Sequence, residues 1–203
     1  MTISAQDVLD FWFTPDPGQP GDAMRTAWFK KDAGFDAEIG RRFGALIDQA
    51  VAGGLQEWDQ QGPAGTLARI LLLDQFTRNV YRGTPQAFAG DAQALAAAQA
   101  LVASGQDLSL PPLQRSFVYL PYEHAEDLAQ QDLAVALYTR LAGDPAVEAS
   151  AELAKGIAGM LDYAHKHHEV IARFGRFPHR NVILDRPSTP EEQEYLGQPG
   201  AGF

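Results

Sequence analysis

Apolar side chains recur every three to four residues along most of this chain, which is the period of an α-helix with one buried face. The pattern is clearest between positions 35 and 50, and it ends at a Gly-Gly pair. The apolar positions of that stretch are Phe35, Ile39, Phe43, Leu46, Ile47 and Ala50. No segment sustains the alternation of apolar and polar residues that is typical of a strand. The sequence therefore predicts an all-α protein of about seven or eight helices with short loops.

Capping residues and helix breakers predict where several helices begin and end. Ser4 and Thr189 each precede an acidic residue by three positions, which is the pattern of a capping box at a helix start. A third helix is predicted from Pro63 to about Tyr81, with Gly83 as its stop signal. These signals place short helices at both ends of the chain and a long helix between them.

The second half of the chain is predicted to continue as helices and to finish irregularly. Pro121 removes a backbone donor and is expected to kink or split its helix, whereas residues 146–174 are predicted as one long helix. We expect a single domain over residues 1–203, with an irregular arm at 175–188 and a flexible tail at 197–203.

Composition excludes several classes of protein. The chain has no cysteine, so disulfides, thiolate catalysis and cysteine-based metal sites are excluded, and a reducing cytoplasm is favoured. No apolar run approaches the ~20 residues needed to span a bilayer. The formal net charge of −10 argues against binding to nucleic acid or to an anionic membrane. We therefore expect a cytoplasmic protein that binds neither.

One basic and aromatic segment departs from this acidic background. Residues 171–181 read I-A-R-F-G-R-F-P-H-R-N, and Gly175 and Pro178 are expected to turn the chain there. Cations at a helix C-terminus complement the helix dipole, but this segment has more of them than capping requires. Guanidinium groups bind carboxylates and phosphates bidentately, so an anion or polar-ligand site is predicted. Its residues would be Arg173, Arg176, His179, Arg180 and Asn181.

The predicted third helix carries a second charged stripe. Asp74, Arg78 and Arg82 follow one another at intervals of four residues and so share one helix face. A simple ion pair accounts for this order of charges. The helix is otherwise very apolar, so the stripe could instead line a cleft and contact an anionic ligand.

The segment Glu123, His124 and Asp127 predicts a third candidate site. A carboxylate beside a histidine can orient the imidazole and make it a general base. A helix start after Pro121 would account for the acidic residues alone, because acids stabilise that end of the dipole. A metal bound by His124, Asp127 and His167 is a further alternative.

Other candidate chemistry has little support in the sequence. His165 and His168 have metal-ligand spacing, but there is no H-E-x-x-H, and His167 is more simply explained as a core histidine. There is no phosphate-binding glycine motif and no serine-hydrolase motif. We therefore predict no cofactor and no metal.

The motifs that contain these residues resemble those of the bacterial Domain of Unknown Function 924 family. The resembling stretches are V-L-D-F-W-F from Val8, W-F-K-K-D from Trp28, L-L-L-D-Q-F-T-R-N-V-Y-R-G-T from Leu71, L-P-Y-E-H-A-E-D from Leu120 and R-F-G-R-F-P-H-R-N from Arg173. The resemblance implies a tetratricopeptide-like array of antiparallel helices and supplies no established activity. Its implied shared polar positions are Asp74, Arg78, Arg82, Glu123, His124, Asp127, His167, Arg173, Arg176, His179, Arg180 and Asn181.

Two positions depart from the pattern that the resemblance implies. Thr77 stands where proline is expected, which would leave the third helix less kinked. Asp185 stands where glycine is expected, and it could pair with Arg180 or Arg186 and weaken an anion site.

Three hypotheses for the function follow from these observations. The first is a helical protein whose arginine- and histidine-lined pocket binds a small anionic molecule or a peptide carboxylate. The second is an enzyme, either a hydrolase or a transferase, that uses the same pocket with His124 as general base and Glu123 or Asp127 orienting it. The third is a structural scaffold for protein–protein interaction. A homodimer is also left open, because the three tryptophans could lie in the core or in an interface.

Overall fold

The structure, a computed structural model, describes residues 3–202 and contains eleven α-helical segments in that range. Met1, Thr2 and Phe203, the last residue of the predicted tail, lie outside the described residues. The helices are α1 (Ala5–Phe13), α2 (Thr26–Phe29), α3 (Ala33–Val51), α4 (Pro63–Ile70), α5 (Thr77–Val80), α6 (Asp91–Ala103), α7 (Pro112–Glu123), α8 (Leu128–Ala142), α9 (Pro145–Glu148), α10 (Ala151–Phe174) and α11 (Pro190–Leu196). The all-α prediction is confirmed, since no strand occurs in residues 3–202. The predicted number of about seven or eight helices is too low, because α2, α5 and α9 are segments of four residues each, too short to show a helical period.

The predicted third helix is continuous but not uniformly α-helical. A π-helical segment, Leu71–Phe76, joins α4 to α5, so helical structure runs from Pro63 to Val80. The Thr77 hydroxyl donates to the Leu73 carbonyl at 2.8 Å, which satisfies a backbone acceptor next to the segment. Short 3-10 helices at Gln56–Gln61, Pro85–Phe88, Gln106–Ser109 and Pro178–Arg180 complete the connections.

Two predicted helix boundaries are wrong. Pro121 lies inside the last turn of α7 and does not split it. α7 ends at Glu123, and α8 begins at Leu128 with Asp127 as its cap. The predicted helix at 146–174 is divided, because Ser150 caps a new helix after the short α9. Each new helix begins after a capping side chain, Asp127 or Ser150. Each of these side chains accepts a hydrogen bond from the backbone N–H three residues later in the chain.

An aromatic cluster lies at the centre of the main hydrophobic core. The rings of Trp12 and Trp28 stack 5.9 Å apart, and Phe117 meets them edge-on at 5.8 and 4.8 Å. Trp58 is buried in the same core. The three tryptophans therefore pack inside the chain, which is the first of the two places predicted for them.

Helix packing brings four chain segments to one region. The π-helical segment contacts α3, α6 and α7, while α10 packs against α7 and most extensively against α8. As a result the π-helical segment, the start of α6, the end of α7 and the middle of α10 approach one another. The tetratricopeptide-like pairing of these helices stays a prediction.

A second, smaller hydrophobic cluster lies beside the main core. It consists of Val170, Ile171 and Phe177, with Phe174 and Tyr195 packed against it. Phe177 belongs to residues 175–188, which we call the arm, so this cluster connects the arm to the end of α10. The arm leaves α10 at Gly175, whose φ of +68° is a left-handed conformation that favours glycine.

None of the helices described in residues 3–202 has the length and apolar character needed to cross a membrane.

Two glycines permit close backbone contact, Gly65 between α4 and the 3-10 helix Gln56–Gln61, and Gly90 between the start of α6 and the π-helical segment. A Cβ atom added to Gly65 would lie 2.0 Å from the Trp58 carbonyl oxygen, and one added to Gly90 would lie 2.2 Å from the Leu73 carbonyl oxygen. Backbone atoms cannot move aside as a flexible side chain can. The absence of a side chain at these two positions therefore allows the approach of neighbouring elements.

We predict that Gly65→Ala and Gly90→Ala each lower the free energy of unfolding, by about 1–3 kcal/mol or more, because each overpacks a rigid backbone contact. Gly44→Ala is the matched control, since its Cβ would meet nothing within 4 Å in the middle of α3. That control is expected to gain about 0.5–1 kcal/mol from helix propensity. Urea denaturation measures all three; equal effects at the three positions would contradict the packing argument.

Candidate functional site

The centre of the candidate site is a hydrogen bond between Asp74 and His124. Oδ1 of Asp74 lies 2.7 Å from Nδ1 of His124. Asp74 is in the π-helical segment and fully buried, whereas His124 caps the C-terminal end of α7 and is partly exposed. We expected Glu123 or Asp127 to orient His124, but the structure pairs the imidazole with Asp74. The reason is that α7 ends at Glu123, which leaves Asp127 exposed as the cap of α8.

The surroundings of this pair determine its protonation. Burial alone would raise the pKa of Asp74, but the positive charge of Arg78 and the contact with His124 outweigh burial and lower the pKa. Burial and Arg78 lower the pKa of His124 against the opposing effect of Asp74. At neutral pH the carboxylate is therefore ionised and the imidazole neutral. Because a carboxylate can only accept, Nδ1 carries the proton and Nε2 keeps its lone pair.

Arg78 connects Asp74 to a second carboxylate. Its Nη1 lies 2.9 Å from Oδ1 of Asp74 and donates to the Asp74 backbone carbonyl at 2.7 Å. Nη1 and Nη2 also donate to the two carboxylate oxygens of Asp91 at 2.9 and 3.0 Å. Asp91 is the first residue of α6. The guanidinium of Arg78 is thus committed to protein acceptors.

Arg180 reaches the same carboxylate from the arm but is held more loosely. Its Nη1 is 3.5 Å from Oδ2 of Asp91. The guanidinium lies over the rings of Phe88 and Phe177, with its central carbon 4.7 and 4.4 Å from the ring centroids. The side chain is 8% exposed, and its buried Nε has no hydrogen-bond partner among the described residues. Burial and the nearby Arg78 lower the pKa of Arg180 to about 10.

A buried pair, Glu123 and His167, lies beside the first histidine. Oε1 of Glu123 is 3.1 Å from Nδ1 of His167, which also lies 2.9 Å from the Tyr163 carbonyl oxygen. A carbonyl only accepts, so Nδ1 of His167 carries a proton. Burial and Asp74 raise the pKa of Glu123 to about 8, and burial and His124 lower the pKa of His167 to about 3. The rings of His124 and His167 are 6.1 Å apart.

The structure brings together only some of the predicted site residues. Asp74, Arg78, Glu123, His124 and Arg180 converge with the core histidine His167. His179 is placed near them, since its ring lies 5.6 Å from that of Phe177 and burial and Arg180 lower its pKa to about 4.

The remaining predicted residues have other partners. Arg82 forms a bidentate pair with Asp36 of α3, Arg173 pairs with the exposed Glu191, and Arg176 forms a bidentate pair with Glu192 of α11. Asn181 is buried and donates to Ser188 and Glu192. Asp185 adopts a φ of +51°, which explains why glycine suits this position. Arg180 and Arg186 pair with Asp91 and Glu126, not with Asp185.

Sequence reasoning missed Asp91, Phe88 and Glu126. Asp91 and Glu126 lie 89 and 60 positions from the arm arginines Arg180 and Arg186, and Asp91 lies 13 positions from Arg78, so no helical spacing relates the partners. Asp91 begins α6, and Glu126 lies in the loop before the cap of α8; acidic residues are common near helix starts and carry no specific signal there. The sequence showed a basic segment in an acidic chain, but this signal does not identify which acidic residues form ion pairs with its arginines.

Two clefts described elsewhere on the molecule do not include this cluster. One, of about 410 Å³, lies between α4 and α6 and is lined by Arg69, Thr66 and Gln93 among others. The other, of about 540 Å³, adjoins α1 and α3. Across residues 3–202 no three His, Asp or Glu side chains have an arrangement suited to a metal ion, so the metal alternative at His124, Asp127 and His167 gains no support.

We predict that Glu123→Gln becomes increasingly stabilising as the pH rises from about 4.5 to about 8. In that range the folded protein keeps a proton on Glu123 that the unfolded chain has lost, so wild-type stability falls as the pH rises. The difference from wild type should grow by up to about 1.4 kcal/mol per pH unit. Urea denaturation at several pH values measures it, with the exposed Glu152→Gln as control. Parallel profiles for wild type and Glu123→Gln would contradict the assignment.

We predict that His124 carries its neutral-state proton on Nδ1 and that Asp74→Asn lowers the pKa of His124 further, because the carboxylate favours the imidazolium. Nitrogen-15 NMR of the imidazole rings across a pH titration measures both properties. Asp132→Asn is the control, since Asp132 contacts the partly exposed His168 at 2.8 Å. A wild-type His124 protonated mainly on Nε2 would be incompatible with the described pair.

Comparison with known proteins gives a fold and a family. A solved structure of a protein of unknown function from Agrobacterium tumefaciens is 38% identical, with a TM-score of 0.79, and the match covers 96% of this chain and 97% of that one. No curated protein shows significant similarity to the chain. Residues 8–200 match the family described as bacterial protein of unknown function, DUF924, and the chain belongs to this family.

Proposed function

We propose that this protein is an enzyme in which His124 acts as general base on a small molecule that carries an anionic group. The observation that carries the proposal is the 2.7 Å contact between Nδ1 of His124 and the buried carboxylate of Asp74. This arrangement fixes the imidazole tautomer and presents the lone pair of Nε2 to a reactant. Titratable groups with strongly shifted pKa values surround it, which is typical of catalytic sites.

Arg180 is the candidate for holding the anionic group. Arg78 is committed to Asp74 and Asp91, whereas the described ion pair of Arg180 is with Asp91, which is 3.5 Å away and shared with Arg78. In some bidentate pairs of this chain, such as Arg69 with Asp59 and Arg176 with Glu192, the Nε and Nη2 edge holds the carboxylate. The Nε and Nη2 atoms of Arg180 make no hydrogen bond to a described residue, and Nε is buried. A carboxylate or phosphate matches this edge in shape and charge.

The chemistry that this geometry supports is hydrolysis or group transfer at a carbonyl or phosphoryl centre. The attacking water or hydroxyl would give its proton to Nε2 of His124 while its oxygen bonds to the electrophilic centre. The same proton would then pass from the imidazolium to the leaving group. Asp74 would stabilise the imidazolium between these steps, and Arg180 would offset negative charge on the reacting group.

A binding protein without turnover is the second candidate, and the Arg180 Nε without a described hydrogen-bond partner favours it equally. Its ligand would be a small anionic molecule or a peptide carboxylate. The formal charge of −10 supports a ligand other than nucleic acid, and the absence of cysteine supports a cytoplasmic location. Packing of α8 between α7 and α10 supports a tetratricopeptide-like array. A homodimer stays a prediction.

The test combines a ligand screen with two variants that retain size and polarity. Carboxylates, inorganic phosphate, phosphate esters and short peptides are screened by thermal shift, where a hundredfold excess over Kd stabilises by about 2.7 kcal/mol. Arg180→Gln is expected to weaken binding of a hit at least tenfold. His124→Gln is expected to retain binding and to abolish conversion of the hit, followed by mass spectrometry.

Two exposed residues provide the controls for this screen, and the pattern of results separates the candidates. His165→Gln and Arg41→Gln should change neither binding nor conversion, since both side chains face solvent. If the wild type binds a ligand but does not convert it, the enzyme hypothesis is rejected and the binding-protein hypothesis is supported. Binding that is unchanged in Arg180→Gln would overturn the assignment of Arg180. If nothing binds and both variants are folded, the cluster is structural, as the scaffold hypothesis requires.

A further inference from the structure

The arm places Arg180 in the site without belonging to the main core. Phe177 packs on the small second cluster with Val170 and Ile171, which is separate from the main hydrophobic core. Nonpolar packing beneath the arm is therefore limited to a few side chains. Segments with few buried apolar contacts open at lower free energy than a core helix does. Polar contacts between the arm and the body consequently matter for where Arg180 lies.

Glu126 accepts three hydrogen bonds from the arm. Its Oε1 accepts from the backbone N–H of Phe177 at 2.8 Å and from Nη2 of Arg186 at 2.9 Å. Its Oε2 accepts from Nη1 of Arg186 at 2.6 Å. Glu126 lies two residues after His124, in the short loop between α7 and α8. One loop therefore carries both the histidine and the carboxylate that receives the arm.

We infer that Glu126 is a positioning residue, which holds the arm on the His124 loop and thereby sets Arg180 opposite the Asp74–His124 pair. This inference rests on the function proposed above, because it assigns a purpose to the position of Arg180. Glu126 itself touches neither His124 nor Arg180 through a described hydrogen bond. It acts through Arg186 and the backbone of Phe177.

The arm is built so that fixing Arg186 also fixes Arg180. The N–H of Leu184 donates to the Arg180 carbonyl at 2.9 Å, and the N–H of Arg186 donates to the Asn181 carbonyl at 2.8 Å. The Nε of Arg186 also donates to the Asn181 side chain at 3.0 Å. Residues 180–186 thus form a closed turn. Holding either end of that turn restrains the other.

Two ion pairs of this region connect to α11 and not to the His124 loop. Arg176 of the arm binds Glu192, and Arg173 at the end of α10 binds Glu191. Among the described residues, the carboxylates outside this C-terminal part that pair with arm arginines are Glu126 and Asp91. The Asp91 contact is long, at 3.5 Å. Glu126 therefore supplies the stronger attachment.

The electrostatics agree with a charged attachment at neutral pH. Burial would raise the pKa of Glu126, but Arg186 and the Phe177 amide outweigh burial and lower the pKa. A carboxylate that accepts a bidentate arginine and a backbone N–H makes charge-assisted bonds, which are about twice as strong as neutral ones. Glutamine at this position would keep the length of the side chain but lose the charge and one acceptor oxygen.

The test measures the position of the arm without any ligand. The chain has no cysteine, so two introduced cysteines can carry spin labels without background. Val182→Cys labels the arm at a residue that is 87% exposed, and Leu133→Cys labels α8 at another exposed site. Electron–electron distance measurements should give a narrow distribution in the otherwise wild-type chain. Adding Glu126→Gln should broaden it, and hydrogen exchange of residues 177–186 should speed up at least tenfold.

A second variant and a matched control make the outcome decisive. Arg186→Gln should reproduce the effect from the other side of the pair, whereas Glu191→Gln removes an exposed pair and should leave the distribution narrow. His124 should keep its Nδ1 proton in Glu126→Gln, because its contact with Asp74 is unchanged. A narrow distance distribution and unchanged hydrogen exchange of residues 177–186 in Glu126→Gln would overturn the inference.

The result is independent of whether the proposed function is correct. If Glu126→Gln frees the arm and also weakens binding of inorganic phosphate or of a carboxylate hit at least tenfold, both proposals are supported. If the arm is freed while no anion binds the wild type, the attachment by Glu126 stands and the function fails. If an anion binds equally well to wild type and to Glu126→Gln, the positioning of Arg180 by Glu126 is refuted.

Discussion

The ionised carboxylate of Asp74 is the constraint on which the rest of this region depends. A fully buried charge is costly unless it is paired and hydrogen-bonded. Arg78, His124 and Gln75 supply that pairing, and the side chain of each contacts the Asp74 carboxylate. The position of Arg78 in turn orders Asp91, and Asp91 receives Arg180. A chain of alternating charges therefore begins in the core and ends on the arm.

The same constraint explains why neighbouring acids differ in protonation. Asp74 takes the available positive charge, so its negative charge disfavours a second ionised carboxylate nearby. Within residues 3–202, the carboxyl group of Glu123 pairs with a neutral histidine, and its Oε2 has no hydrogen-bond partner. The pKa values of these two buried acids are thus shifted in opposite directions. Asp74 is held as the carboxylate and Glu123 as the carboxylic acid. Pairs with opposite shifts of this kind are found where protons are exchanged.

Features that depend on nearby residues could be predicted from the sequence, and features that depend on distant residues could not. The caps at Ser4 and Thr189 and the ion pair from Asp74 to Arg78 follow from spacings of three or four residues. The partner of His124 was assigned wrongly, because Asp74 lies 50 positions away and its direction depends on a π-helical segment. The attachment of Arg186 likewise depends on how the arm folds back on the body.

The π-helical segment has a consequence for the phase of the long helix from Pro63 to Val80. An α-helix advances by about 100° per residue, so a π turn rotates everything beyond it by about that angle relative to an uninterrupted helix. The half before the segment faces α1 and α6, and the half after it faces α3. One helix can therefore line two differently oriented packing surfaces, with Asp74 at the junction. Removing one residue there would restore regular winding and rotate either the acid or one of the two surfaces out of register.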